Sequence, residues 1–335
     1  MLVVVGAAII RIPYYSLAPG SAVSLNDLVS VERAESYPPD GELFLTTVSL
    51  KRATLLDAVR GWIDSSITVR PEDEIVPPDV SREQLRDFNL ELMADSKQKA
   101  VAVALERLGY HVRSGSGAEI IALVEGAPAE GVLSVGDTVV GVDGESVTLS
   151  DEAVALLGTH RPGDEVRLDV RPADGGDTRT VEVTLGTYPE EPDRPFLGVQ
   201  LQTKEFRLDF PIDVEIDSRR IGGPSAGLAF TLAVIDHLTP GELTGGSRVA
   251  VTGSIAFDGS VGAVGGVAQK TVAVRRAGAV LFLVPSSEYD EARAHAGGKL
   301  RIEAVDDVDD ALRALAGVGG NGLALPSLGA STERT

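Results

Sequence analysis

The 335-residue chain contains no cysteine, which removes disulfides, thiolate metal ligands and a cysteine nucleophile, and leaves the redox compartment open. Histidine is nearly as scarce. His111, His160, His237 and His295 are the whole complement, and no two stand four residues apart, so a zinc-peptidase helix is absent. No Gly-x-x-x-x-Gly-Lys-Ser/Thr loop occurs either, so neither a nucleotide, another cofactor nor a metal is expected. Basic residues are in deficit, 30 Lys and Arg against 50 Asp and Glu, and the net charge of −20 argues against a nucleic-acid partner. Within that small basic set most residues are arginine. The lysines are only Lys51, Lys97, Lys99, Lys204, Lys270 and Lys299.

Long apolar runs are also lacking. The first, residues 2–10, covers about 13 Å as a helix, against roughly 30 Å for a bilayer core. Its Val and Ile content suits a buried strand. The alternative is the last part of a membrane anchor, with Ile12-Pro13-Tyr14-Tyr15 as the interfacial exit. No charged n-region or small-residue cleavage site marks a secretory signal. Residues 1–12 are taken as a partial membrane anchor.

What is present divides by composition. Residues 13–108 read as a small mixed α/β region, with strand character over 42–50 and a helix over 55–63. A long helix over 81–108 is opened by Ser81 with Gln84 three residues on. Residues 109–187 change character. They hold an apolar run at 120–124, a hairpin signal at Asp143-Gly144, a short helix over 149–157 and alternating strands over 165–171 and 178–185. Residues 187–194 are rich in Pro and Glu and read as a linker. The chain from 318 to 335 reads as a disordered tail.

Gly126-Ala127-Pro128-Ala129, Leu133, Gly136-Asp137, Val142-Asp143-Gly144 and the helix before Pro162-Gly163-Asp164 make residues 109–187 resemble a PDZ domain. That resemblance implies a barrel-like module that binds an extended peptide by strand addition beside the 149–157 helix, with Ile120, Ile121 and Val154 in the groove. The Gly-Leu-Gly-Phe carboxylate loop of such domains has no clear counterpart, although residues 109–112 or 114–117 could stand there. A structural spacer is the alternative.

Ser225 stands in Gly222-Gly223-Pro224-Ser225-Ala226-Gly227, ahead of the apolar stretch 226–238. The two glycines permit unusual backbone geometry and Pro224 suits a first helical position, which would put Ser225 in the first turn, where N–H groups are unpaired. A serine there is either a nucleophile or a simple cap. Lys270 follows Gly265-Gly266 and shares a helical stripe with Val267, Thr271 and Val274. It is either a snorkelling surface lysine or a buried base, a role open to lysine and closed to arginine. Gly223 to Gly227 also fits Gly-x-Ser-x-Gly, but the polar Asp217-Ser218-Arg219-Arg220 upstream is unlike the strand that an α/β-hydrolase elbow requires.

Gly223-Pro224-Ser225-Ala226-Gly227, Thr252-Gly253, Val264-Gly265-Gly266, Lys270 and Arg276-Ala277-Gly278 together make residues 195–317 resemble the proteolytic domain of Lon-type Ser-Lys proteases. The resemblance implies Ser225 as nucleophile, Lys270 as its base, Thr252 as a hydrogen-bond partner of the lysine, and an oxyanion held by N–H groups near Gly223 and Ser225. Gly222 stands where such domains usually carry Asp. The fold class expected is α+β multi-domain, a PDZ-like module followed by a Lon-type proteolytic α/β domain, similar to membrane-anchored PDZ–Lon proteins. The likeness implies an ATP-independent serine endopeptidase acting on protein or peptide substrates outside the cytoplasm, with a homo-oligomeric ring as a further analogy. The rival readings are an esterase or amidase pairing Ser225 with His295, and a non-catalytic PDZ scaffold with a relic protease fold.

Overall fold

Apolar side chains that run without interruption mark strands buried on both faces. Three such runs, Leu43-Phe44-Leu45, Val249-Ala250-Val251 and Leu281-Phe282-Leu283-Val284, form the centre of the fold. The computed structural model describes residues 10–328 apart from Arg33, Pro78, Pro189, Glu190 and Arg220. The chain divides into two units. One takes the residues up to Tyr110 together with those from Pro211 onward, and the other takes His111–Phe210.

The first unit opens with β1 (Arg11–Ser24), β2 (Val29–Glu32), β3 (Glu42–Thr54), α1 (Leu55–Ile63), β4 (Thr68–Pro71) and the long helix α2 (Arg82–Arg107). The second unit follows with β5 (Arg113–Ser114), β6 (Ala118–Leu123), β7 (Thr138–Val142), β8 (Glu145–Ser146) and α3 (Ser150–Gly158). It continues through β9 (Glu165–Arg171), β10 (Arg179–Thr184), β11 (Gly186–Tyr188), β12 (Glu191–Phe196), β13 (Val199–Thr203) and β14 (Arg207–Leu208). The chain re-enters the first unit with β15 (Asp213–Ile216), α4 (Gly227–Leu238), β16 (Arg248–Val251), β17 (Ser254–Ile255) and β18 (Val261–Gly262). α5 (Val267–Ala277), β19 (Leu281–Pro285), α6 (Tyr289–His295), β20 (Arg301–Val305) and α7 (Val308–Ala316) complete it.

In the first unit one sheet has the order β20-β19-β16-β3-β1-β4. β20, β19, β16 and β3 are parallel, and β1 pairs antiparallel with β3 and β4. Phe44, Ala250, Phe282 and Val284 share a core with Val267 and Val274 of α5 and Ala292 of α6. The alternate side chains Leu43, Leu45, Val249, Val251 and Leu283 are buried as well, and α4 packs against β3 and β16. All twelve residues of α4 are buried, as expected of a helix that is apolar nearly all round. Residues 13–108 and 195–317, which the sequence puts in separate regions, both contribute to this sheet. β3 runs beside β16 from Glu42 opposite Arg248 to Leu45 opposite Val251. Such a pairing between distant segments leaves no mark on local periodicity.

The second unit is built on the sheet β10-β9-β7-β6-β13, with β8 on β7. Ile120, Val139, Leu168 and Val170 share its core with Ala153 of α3. Asp143 and Gly144 turn the β7–β8 hairpin with φ of 49° and 88°, the left-handed pair that a two-residue turn needs. The expected linker at 187–194 instead contributes to the β11–β12 hairpin, where Tyr188 pairs with Glu191. From residue 318 on, where a disordered tail is expected, Asn321 donates to Pro240 O at 2.9 Å and the Leu328 N–H to Leu108 O at 2.7 Å. Residues 329–335 lie outside the described residues.

The N-terminal membrane anchor, on which the extracytoplasmic placement rested, is corrected by the structure. Among the described residues no helix is long and apolar enough to cross a membrane. Ile12-Pro13-Tyr14-Tyr15, expected at the interface, lies in β1, where Tyr15 is buried and pairs with Arg52. Residues 1–9 lie outside the described residues.

Because both halves of the first unit share one sheet, damage to the first half is expected to unfold the second. Leu45→Ala should cost about 2–5 kcal/mol and lower the protection of amides in both β3 and β16 together. Hydrogen exchange resolved by segment checks this, and loss confined to residues 11–107 would contradict it.

Candidate active site

The parallel strands of the first unit place their carboxyl ends at one edge of the sheet, the usual location of sites in such folds. There β16 ends at Val251 and the chain continues as Thr252-Gly253. The Thr252 N–H donates to Leu283 O at 3.0 Å, tying this crossing to β19. Gly253 has φ of 155°, and a Cβ there would lie 2.6 Å from Val261 Cγ1, so a side chain has no room.

Ser225 does not lie inside the first turn of α4, as expected, but in the turn just ahead of it. The first helical bond runs from the Phe230 N–H to Ala226 O, which makes Ala226 the N-cap and Gly227 the first helical residue. The reason is tertiary. Ser225 O accepts from the Gly253 N–H at 3.1 Å and from Thr252 Oγ1 at 3.2 Å, so it is drawn toward the end of β16. Gly223 has φ of 89°, and its N–H, expected near an oxyanion, donates instead to Asn89 O of α2 at 2.8 Å. The N–H groups of Ser225 and Ala226 donate to none of the described residues.

Lys270 is 2% exposed on α5 and its Nζ donates to Thr252 Oγ1 at 3.0 Å, where Thr252 is fully buried. Gly266 starts α5 in the left-handed region, and a Cβ at that position would meet Val48 Cγ1 at 2.7 Å. Burial lowers the lysine pKa from its ordinary 10.5 to about 8, opposed by the negative charge of Glu288. The Thr252 hydroxyl has one proton, and it goes to Ser225 O. Toward Lys270 it can therefore only accept, so one ammonium hydrogen is fixed while the nitrogen lone pair of the neutral amine stays uncommitted.

Ser225 and Lys270 line one cavity of about 590 Å³. Thr46, Thr47 and Val48 of β3, Asn89 and Met93 of α2, Gly222 to Ala226, and Ala263 to Gly265 complete much of its wall. Sequence reasoning missed every contribution from β3 and α2, as well as Glu288. No motif marks them, and only the long-range pairing brings them in. His295 lies elsewhere, on α6, with Nδ1 3.0 Å from Glu291 O, and is not among the cavity residues.

In the second unit a cavity of about 310 Å³ lies beside α3, lined by Val154 and Leu157 of the helix and by Phe196, Leu197, Gly198, Val199 and Leu201. Of the three expected groove residues Val154 is in place, about half exposed. Ile120 is fully buried in the core, and Ile121, partly exposed, is absent from the lining. Both sit on β6, whose outer edge is covered by β13, so β13 is the strand at the sheet edge. Phe196-Leu197-Gly198-Val199, with Gly198 at φ of 81°, borders this cavity, whereas none of residues 109–112 or 114–117 lines it. The signal of residues 196–199 in sequence was an apolar run broken by one glycine and followed by the alternation Val199-Gln200-Leu201-Gln202.

Residues 209–317 match the family described as Lon protease (S16) C-terminal proteolytic domain, and residues 103–185 match the PDZ domain family. The chain thus carries a PDZ domain followed by a Lon-type proteolytic domain, in a mixed α and β fold. The Lon protease of Clostridioides difficile is 39% identical over 93 residues, 27% of this chain and 12% of that protein. The Lon protease of Methylocella silvestris is 36% identical over 121 residues, 35% of this chain and 15% of that protein. The chain therefore spans a small part of the length of the curated relatives it matches. Among solved structures, the PDZ domain of the SdrC-like protein from Listeria innocua is 23% identical, covering 25% of this chain and 92% of that one, with a TM-score of 0.23.

The lysine environment makes two expectations. Its folded pKa of about 8 lies below the ordinary 10.5, so between these values the unfolded chain holds a proton that the folded site has released. The contribution of Lys270 to stability therefore rises with pH across that window and is depressed below pH 8. Lys270→Met should remove this rise, as read by urea unfolding at pH 8 and pH 10. Glu288→Gln should move the lysine pKa below about 8, measured by lysine-selective NMR; an upward shift would contradict the assigned opposition.

Proposed function

We propose that the first unit is a serine endopeptidase with Ser225 as nucleophile and Lys270 as general base, needing no nucleotide bound by this chain. The observation that carries the reading is the buried Lys270 amine, hydrogen-bonded to Thr252 Oγ1 and lining the same cavity as Ser225. Neutral Lys270 takes the Ser225 hydroxyl proton as Oγ adds to the substrate carbonyl carbon. The negative charge that develops on the carbonyl oxygen is met by the uncommitted N–H groups of Ser225 and Ala226, at the positive end of α4. The Gly223 N–H is already engaged and takes no part. Collapse of the tetrahedral intermediate breaks the C–N bond, and the Lys270 ammonium protonates the departing amine. Water then attacks the acyl-serine ester, giving a proton to Lys270, and release of the acid restores Ser225 with its proton.

The second unit would gather substrate. An extended peptide adds to the edge of β13 and seats apolar side chains between that strand and α3, where Val154, Leu157 and Leu201 line the cavity. Ring assembly of several copies is part of the same likeness to Lon proteolytic domains.

Labelling by a serine-reactive phosphonate, compared with Ser225→Ala, tests the nucleophile. Turnover of a peptide substrate should vanish in Ser225→Ala and in Lys270→Arg, since arginine stays protonated, while His295→Ala keeps the wild-type rate. The wild-type rate should rise with pH through about 8 as Lys270 loses its proton. Normal turnover in Lys270→Arg, or a rate flat with pH across that value, would overturn the assignment.

A further inference from the structure

We propose that α2, which lies outside the residues matched to the proteolytic family, belongs to the catalytic apparatus, with Ser96 as a positioning residue that aims the Ser225 amide at the oxyanion. The inference rests on Ser225 being the nucleophile. Asn89, Met93 and Ser96 fall on one face of α2 by their spacing of four and three residues. Each meets the nucleophile segment differently. Asn89 O accepts the Gly223 N–H at 2.8 Å, Ser96 Oγ donates to Pro224 O at 3.1 Å, and Met93, 2% exposed, forms part of the cavity wall. Together with the two bonds to Ser225 O, they give each of residues 223, 224 and 225 one backbone group held from outside the loop.

A serine in mid-helix ordinarily turns its hydroxyl onto the carbonyl one turn back. Ser96 is 3% exposed and instead gives its proton to a carbonyl 128 residues away in sequence. The loop is cut to this helix. A Cβ on Gly222 would lie 3.2 Å from Asn89 Cβ, and one on Gly227, which would meet Ile255 Cγ2 first at 2.7 Å, would lie 3.0 Å from Ser96 Oγ. The absence of a side chain at Gly222 fits this close approach, since Asn89 O and C also lie 3.3 and 3.4 Å from where its Cβ would stand.

The consequence follows from peptide geometry. The bond from Pro224 to Ser225 is trans, since no cis peptide occurs in the described chain. A planar trans peptide points its C=O and N–H in opposite directions. With Pro224 O held toward Ser96, the Ser225 N–H is directed away from α2. That plane turns about ψ of Pro224 and φ of Ser225, and its carbonyl accepts from Ser96 Oγ at 3.1 Å and, at a longer 3.3 Å, from the Gly227 N–H. Without the Ser96 hydroxyl only the longer bond from the Gly227 N–H holds that carbonyl, so the plane has more room to rock and the donor that meets the developing oxyanion loses its aim.

The test is steady-state kinetics on the full chain. Ser96→Ala should lower kcat about five- to tenfold, as expected for one hydrogen bond of this class. KM and the pH midpoint should hold, since neither the cavity wall nor Lys270 is touched. Ser96→Thr, which keeps the hydroxyl, should recover most of the rate. Gly222→Ala, which presses on Asn89, should also slow kcat. A wild-type or higher kcat in Ser96→Ala overturns the proposal, as does a loss that Ser96→Thr fails to recover, which would assign the effect to packing alone. Ser225→Ala in the same series separates the two readings. If Ser225→Ala is inactive and Ser96→Ala is normal, only the role of α2 falls; if Ser225→Ala turns over, the nucleophile assignment and the role of α2 fall together.

Discussion

A single hydroxyl, that of Thr252, is the constraint on which the arrangement turns. It donates to Ser225 O and accepts from Lys270 Nζ in a fully buried position. Its one proton forces the direction of both bonds. The serine backbone is thereby held to the end of β16, while the lysine is oriented through a hydrogen and not through its lone pair. Burial supplies the rest, because removing the amine from water disfavours its charged form and brings its pKa to about 8. A negative charge from Glu288 limits how far that displacement goes. The same low-dielectric setting that makes the lysine a usable base also makes the Thr252 bonds costly to lose.

That hydroxyl can sit where it does only because β16 is central in the sheet. Its neighbours are β19, which follows it in sequence, and β3, which precedes it by the whole of the second unit. α4 and α5 carry the segments bearing Ser225 and Lys270, and β16 ends between those segments. α2 then closes the wall with Asn89, Met93 and Ser96. The proteolytic-domain match begins at residue 209, yet the sheet, the cavity and the grip on the nucleophile loop all draw on residues before 110. The functional unit is thus larger than its recognisable motif.

Much of this was legible beforehand. The capping box Ser81–Gln84, the helix at 55–63, the Asp143-Gly144 turn and the strand at 165–171 were readable because their signals are local and their side chains alternate or repeat within one element. Ser225 and Lys270 stand out through position and scarcity and Thr252 through the Lon resemblance; the structure brings Ser225 and Lys270 to one cavity and joins all three in one hydrogen-bonded chain. The β11–β12 hairpin did not stand out, because Pro and Glu disguise it as a linker. Ile120 and Ile121 sit on a strand whose outer edge is taken by β13, and nothing in those two residues announces that pairing. Ile12 to Tyr15, expected at a membrane interface, lie in β1, because local composition alone does not tell a strand in a sheet from an interfacial exit.

The sequence by itself determined the chemistry that the chain could host. Without cysteine, with four histidines of which no two stand four residues apart and with a lysine in an apolar stretch, a serine activated by lysine is the one nucleophile with motif support. Tertiary structure alone decided how those groups are aimed. It set Ser225 ahead of the helix instead of inside it, committed the Gly223 amide to Asn89, and left the Ser225 and Ala226 amides without an acceptor among the described residues. Residue type and local spacing carry reactivity, but the orientation of the Pro224–Ser225 peptide plane depends on a partner 128 residues away, and only packing brings that partner into reach.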